Sequence, residues 1–333
     1  MTDPRLPPTR RRAARPQPRQ RGAALLLALI ILTLVSTVTA GMVWQQTRAV
    51  DVESAERARA QAGWILNGAL DWARLILRED QRSARQRGDA YTSLDDAWSK
   101  PLEEARLSSF LAADKDNNAD SGIEAFISGA IVDTQGRLNI RGLVDPTGKA
   151  VKLQVDALQR VASLAGAPSD TATRIAQALG AVITTPTEPD PRGTPLRPET
   201  LDDLVWLGIE PATLARLADW VTLLPVITSV NANTAPREVL MGAIDGLDLG
   251  SAERLVQARG RKPFANLAAV EALLPADVKP DPARVGVSSN WFEVSGRLRL
   301  EERVLEERSL LQREGEKVTV RRRERHSFTM MQR

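Results

Sequence analysis

The sequence predicts an α+β fold: a long N-terminal helix, a small antiparallel sheet, and an all-helical domain inserted between two of the sheet's strands. Three observations carry this. Residues 23–47 hold no charged side chain and run, without a proline, into an amphipathic pattern that lasts to about Arg87. Strand-like alternation occurs over 123–140 and again over 290–325. Between those stretches the apolar spacing is helical. One sheet interrupted by a helical insertion explains that order more economically than two unrelated domains.

The composition narrows the chemistry. The chain has 333 residues, enough for an anchor and two medium domains. It has no cysteine, which excludes a disulfide scaffold, a thiolate metal site and a thiol nucleophile but leaves the compartment open. Its one histidine, His326, argues against a Ser-His-Asp triad, a His-Glu-x-x-His zinc helix and a multi-histidine metal site. G-x-S-x-G, G-x-x-x-x-G-K-[ST] and G-x-G-x-x-G are absent. A paired-carboxylate site is the enzymatic reading that the composition leaves open. The net charge of +3 is set by residues 1–22, which hold seven Arg and one Asp. The remainder carries 38 Lys+Arg against 41 Asp+Glu, so it has no bulk attraction for nucleic acid.

Residues 1–22 are rich in Pro and Arg, a composition that cannot bury surface. Positive charge ahead of an apolar run predicts a cytoplasmic N-terminus. Ala23–Val43 is 21 residues long, which as a helix spans about 30 Å, one hydrocarbon thickness. Three readings fit this stretch. It is a plain signal-anchor, or a secretory signal cut after Val38-Thr39-Ala40, or a leader cut after Gly22 that leaves the whole anchor in the mature protein. Beyond Trp44, the residues Ala62, Ile65, Leu66, Ala69, Ala73, Ile76 and Leu77 share one helical face, and Gly88 offers a stop. Anchor and amphipathic half together predict a helix of about 65 residues.

The basic leader ending in Gly22, the unbroken apolar run and its direct continuation as an amphipathic helix resemble type IV pilins and pseudopilins. Most pilins carry Glu at the fifth mature position, where it neutralises the N-terminus of a neighbouring subunit. Here that position is Leu27. In that respect the chain is similar to the K-type minor pseudopilins of type II secretion.

Asp114-Lys115-Asp116-Asn117-Asn118-Ala119-Asp120 is the most ligand-like stretch. Asp114, Asp116, Asn118 and Asp120 put oxygen side chains at alternate positions, as a hard cation requires. It departs from an EF-hand loop, with Ala119 where Gly stands and Glu124 one place early. A solvated acidic loop is the competing reading; the resemblance to pseudopilins implies calcium.

Ala125–Asp133 then predicts a strand, Thr134-Gln135-Gly136 a turn, and Arg137–Ile140 a second strand. Ile131, Asp133, Gly136, Arg137 and Asn139 meet an Ile-x-Asp-x-x-Gly-Arg-x-Asn pattern shared by K-type proteins. Helical spacing follows. Val151, Val155, Leu158, Ala162 and Ala165 form one stripe, and Ser169 or Asp170 can cap a helix through Val182. A proline-rich loop spans 184–198, and Pro211 opens a helix expected to reach about Leu223. Thr234 is a candidate N-cap, and Ser251–Arg259 a helix.

The order Val230-Asn231-Ala232-Asn233-Thr234-Ala235, Gly246-Leu247-Asp248-Leu249-Gly250 and Pro263-Phe264-Ala265-Asn266-Leu267 looks like a SAM-like, helix-hairpin-helix unit. Such hairpins often hold DNA phosphate with backbone N–H groups, which makes a membrane-anchored periplasmic DNA-binding protein the rival function. Asp245 and Asp248 count against it, because carboxylates there repel phosphate. In the tail, Phe292, Val294, Gly296, Leu298 and Leu300 form the apolar face of a ribbon. Val304–Gln312 and Lys317–Arg325 read as a hairpin. The run Arg321–Arg325 suits either a nucleic-acid tail or a charged sheet edge.

The resemblance to K-type minor pseudopilins covers nearly the whole chain. It implies a pilin-like fold divided as leader 1–22, anchor 23–43, helix and first strands 44–145, helical insert 146–285 and last strands 286–333. It implies a non-enzymatic protein of a Gram-negative inner membrane, single-pass, with its C-terminal domain in the periplasm. Prepilin peptidase would cut between Gly22 and Ala23 and methylate Ala23. The mature chain would join I-type and J-type minor pseudopilins, then other pseudopilins, at the tip of a pseudopilus, with no nucleic acid bound.

Overall fold

The computed structural model describes residues 21–107, 125–184, 196–300 and 303–329. The chain divides into two compact units, Met1–Gln61 and Ala62–Arg333. In the first unit every described residue is helical. The helix is α1, Arg21–Arg87, whose bounds extend into the second unit. Its most apolar window reaches a mean hydropathy of 2.5, long and apolar enough to cross a membrane. The leucines and isoleucines of 25–34 are all exposed. The hydroxyls of Thr33, Thr37, Thr39 and Thr47 donate to carbonyls three or four residues back, so their polarity is returned to the helix itself.

In the second unit α1 buries Ala62, Leu66, Ala73 and Leu77 of the face that the spacing predicts, with Leu70 beside them, while Ile65, Ala69 and Ile76 are half-buried. The helix stops at Gly88, whose φ of 77° favours glycine, while Asp89 N–H closes on Ala84 O. The buried face packs on a five-stranded antiparallel sheet. Its strands are β1 (Leu102–Arg106), β2 (Ala125–Asp133), β7 (Trp291–Leu300), β8 (Arg303–Glu314) and β9 (Lys317–Thr329), in that spatial order. Ile127, Ile131, Phe292, Val294, Leu298, Leu305 and Leu311 point toward the helix. Trp98 meets the ring of Phe292 edge-on, with centroids 5.3 Å apart. The arginine run lies on edge strand β9. Arg323 and Arg325 converge on buried Glu307, Arg321 reaches Glu314, and Arg322 pairs with Glu324.

Strands β2 and β7 are neighbours in register from Ala125↔Leu300 to Asp133↔Phe292. The chain between them leaves the sheet and forms a mostly helical block. Its elements are β3 (Leu138–Asn139), α2 (Lys152–Leu164), α3 (Thr171–Thr184), α4 (Pro211–Leu217), β4 (Val221–Thr222), β5 (Val230–Asn231), α5 (Arg237–Ala243), α6 (Leu249–Arg261), α7 (Leu267–Glu271) and β6 (Val285–Gly286). Leu158, Val161, Ile175, Leu204, Leu217, Leu240 and Leu255 share one core there.

Four expectations need correcting. The strand expected over Arg137–Ile140 shrinks to Leu138–Asn139 and pairs in parallel with β4, not with β2. The reason is the Asp133 carboxylate. It accepts from Gln135 N–H and caps a 3-10 turn over Thr134–Gly136 that turns the chain out of the sheet. The helix opened by Pro211 ends at Leu217, because Val221–Thr222 joins that ladder instead. Thr234 caps nothing: α5 starts at Arg237 behind Pro236 with no side-chain cap, and the Thr234 hydroxyl is engaged elsewhere. Helix α6 starts two residues earlier than expected, at Leu249, with Asp248 as its cap. The cation candidates Asp114, Asp116, Asn118 and Asp120 lie outside the described residues.

Candidate functional site

The two patterns singled out in the sequence, 131–139 and 231–234, meet at one place. It is a buried polar joint between the sheet and the helical block, and Asp133 is its centre. The residue sits at the end of β2, 4 % exposed. One carboxylate oxygen accepts from Gln135 N–H at 2.8 Å. The other accepts from Ser289 Oγ and Thr234 Oγ1, both at 2.6 Å, and from Asn231 Nδ2 at 3.1 Å. Burial pushes the carboxyl up from its ordinary range, and the hydrogen bonds from Ser289, Thr234, Gln135 and Asn231 oppose that shift. A carboxylate so enclosed persists only because donors from several segments satisfy it.

The remaining residues of both patterns complete the joint. Asn231 also donates to Thr92 O at 3.1 Å, and its carbonyl oxygen accepts from Asn233 N–H at 2.9 Å. Asn233 is matched in both directions with the backbone of Phe264. Space at Gly136 is tight: a Cβ there would stand 3.1 Å from Thr234 Oγ1, so that hydroxyl would have to give by a few tenths of an ångström. Asn139 holds the 224–228 segment, donating to Val226 O at 2.8 Å and accepting from Leu224 N–H at 3.2 Å.

A second layer ties the joint to the helix and to β8. Arg313, 3 % exposed, donates to Thr92 Oγ1 and Ser289 O at 3.0 Å and to Asp80 of α1 at 2.9 Å. Its guanidinium lies 4.7 Å from the Phe292 ring centre. Burial lowers the Arg313 pKa. Burial, with the neighbouring charge of Asp96, raises that of Asp80 against the pull of Arg313. Sequence reasoning missed Asp80, Thr92, Ser289 and Arg313. The sequence reading leaves Arg313 in the turn of the closing hairpin, whereas it lies within β8, paired with Val318.

The joint can hold geometry; it presents no reactive group to solvent. An apolar groove of about 230 Å³ lies between α1 and the sheet, lined by Leu66, Leu70, Ala73, Trp98, Ile127 and Val294. Among the described residues no group of three His, Cys, Asp or Glu side chains is placed to hold a metal.

The hairpin-like segment 246–250 is built unlike a phosphate site. Asp248 accepts from Ser251 N–H at 2.9 Å and from its hydroxyl at 2.8 Å, so the protein's own carboxylate occupies the start of α6. These bonds hold the Asp248 carboxyl below its ordinary range. Asp245 is bound by Arg160 and by Arg284, the latter at 3.0 Å. An incoming phosphate would have to displace a carboxylate and meet a second one.

Gly22 and Ala23 fall in the first turn of α1, and Leu27 is exposed.

Comparison with known proteins gives a consistent result. The sequence profile of "Type II secretion system (T2SS), protein K" matches residues 230–288, the stretch that supplies the block's side of the joint. The chain is 29% identical over 331 residues to type II secretion system protein K of Pectobacterium carotovorum subsp. carotovorum, covering 91% of this chain and 95% of that protein. Identity to the protein of the same name from Pseudomonas aeruginosa is 25% over 262 residues, 74% of each chain. Among solved structures, a chain of the GspK-GspI-GspJ complex of the enterotoxigenic Escherichia coli type 2 secretion system superposes with a TM-score of 0.60 at 18% identity. The match covers 82% of this chain and 98% of that one, a likeness of fold.

Proposed function

We propose that the chain, which is similar to type II secretion system protein K over most of its length, is a member of that family and a non-enzymatic minor pseudopilin that starts a pseudopilus from its tip. In this reading it assembles with I-type and J-type minor pseudopilins, and the complex helps move folded proteins across the outer membrane. The observation that carries the reading is the pairing of an exposed apolar helix with a sheet that holds a large helical block between two adjacent strands. Leu27 supports the tip position, because a subunit without a carboxylate there cannot neutralise the N-terminus of a neighbour above it. The complex in which the structural neighbour was solved supports the choice of partners.

Processing follows from the same reading. Prepilin peptidase cuts between Gly22 and Ala23 and methylates Ala23. The helix stays in the inner membrane with the sheet and block in the periplasm. Asp114, Asp116, Asn118 and Asp120 are proposed calcium ligands, to be checked by a calcium-dependent rise in melting temperature that Asp116→Ala reduces.

The decisive experiment is intact mass of the membrane-extracted protein together with co-purification. A methylated N-terminal Ala23 and recovery with I-type and J-type partners are expected. An N-terminus at Gly41 or an uncut Met1, or folded partners that fail to bind, would overturn the assignment.

A further inference from the structure

The helical block is joined to the sheet by two chain crossings, one after Asp133 and one before Trp291. Both pass through the joint. Asp133 belongs to the first crossing, Ser289 to the second, and Asn231 and Thr234 to the block itself. The apolar contribution between the two parts is small. The core of the block and the two cores under the sheet share no residue. One cluster crosses among the described residues: Leu224 of the block against Trp291 and Leu310 of the sheet. Apolar contact is non-directional and tolerates sliding, whereas a buried carboxylate is satisfied in one arrangement of its donors.

We propose that Asp133 is a positioning residue, a latch that fixes the direction in which the helical block stands on the sheet. Each part carries its own core, so the latch governs the angle between them more than the integrity of either. With the latch released, the block swings about the two crossings while both cores stay folded. The latch is a property of this chain and stands whether or not the chain is a pseudopilin; a consequence for secretion rests on the reading above.

The chain has no cysteine, so two introduced ones can be labelled without background. Gln257 on α6 and Ser327 on β9 are exposed and have no part in the joint. In the full-length protein in detergent, spin labels on Gln257→Cys and Ser327→Cys should give one narrow distance. Asp133→Asn keeps the shape but turns an amide N–H₂ either toward three donors or toward Gln135 N–H. It should broaden or split that distance while near-ultraviolet circular dichroism is retained. A lowered melting temperature with the narrow distance unchanged overturns the latch and leaves Asp133 a packing residue. If Asp133→Asn does not fold, Thr234→Val and Ser289→Ala each remove one donor; broadening in either supports the latch, and a narrow distance in both overturns it. Co-purification with pseudopilin partners, read on the same samples, tests the functional assignment separately.

Discussion

In the helical block, side chains from α2, α3, α5 and α6 merge into one apolar core, and the buried Arg284 is paired with Asp245, which is half-exposed. Under the sheet the core is split. Leu66, Ile127, Leu298 and Leu305 form one cluster and Leu77, Ile131, Phe292 and Leu311 another. The row between them holds Gly129, Gly296 and Glu307 in register. Two glycines supply no side chain there, and the third position is a carboxylate 3 % exposed. The groove against α1 opens along this row. The sheet half sets a buried carboxylate between its two apolar clusters, while the block has one unbroken apolar core. Buried ion pairs lose more when one partner is removed than they gain on forming, so the two halves should fail differently.

The largest expected effect tests the sheet half. Arg313→Met leaves Asp80 and the Thr92 and Ser289 acceptors without their donor, and should destabilise by about 3–5 kcal/mol. Urea unfolding of the full chain measures it; a cost below about 1 kcal/mol would remove the contrast between halves. In the block, Leu158→Ala removes a fully buried side chain, with an expected loss of about 2–5 kcal/mol. That loss should fall on the block: hydrogen exchange in α2 and α5 should speed up while β7 and β8 keep their protection. Equal loss in both places would mean that the two cores unfold as one.

The smallest effect is a dependence on pH with opposite signs. For Asp245, burial alone would raise the carboxyl, but Arg284 and Arg160 outweigh it and hold it below the ordinary 3.8. It contributes stability above that pH and loses it as pH falls through the lower folded value. Asp133 and Asp80 are raised, so the folded state binds more protons than the unfolded chain between 3.8 and their folded values. Their contribution falls as pH rises through that window. Stability should therefore rise on mild acidification and fall below pH 3.8, the falling limb being weaker in Asp245→Asn. A curve that only falls, unchanged by that substitution, would contradict the assigned signs.

Much of this was legible in the chain. The long helix and its stop at Gly88, the ribbon from Phe292 to Leu300 and the closing hairpin all follow from periodicity and a glycine. Asp133, Asn231 and Thr234 stood out within patterns, but not as partners, because Asp133 and Thr234 are 101 positions apart; Ser289 and Thr92 did not stand out at all. Thr234 precedes a helix by a distance that suits a cap, and the tertiary demand of a buried carboxylate overrode that local option. Strand β1 was not foreseen: its sequence, Leu-Glu-Glu-Ala-Arg, lies at an exposed edge and carries no apolar face. The two-residue ladders of β3 with β4 and β5 with β6 are too short to have a period at all.

The register of β2 and β7 has a topological consequence. Asp133 and Phe292 face each other as the last pair of an antiparallel ladder, which is where a tight turn ordinarily closes a hairpin. If a short turn replaced residues 134–291, β2, β7, β8 and β9 would follow one another as a plain up-and-down meander, each strand beside its successor in sequence. In effect the whole block occupies the place of a hairpin loop, and it returns two donors, Asn231 and Thr234, to the carboxylate at the ladder's last pair.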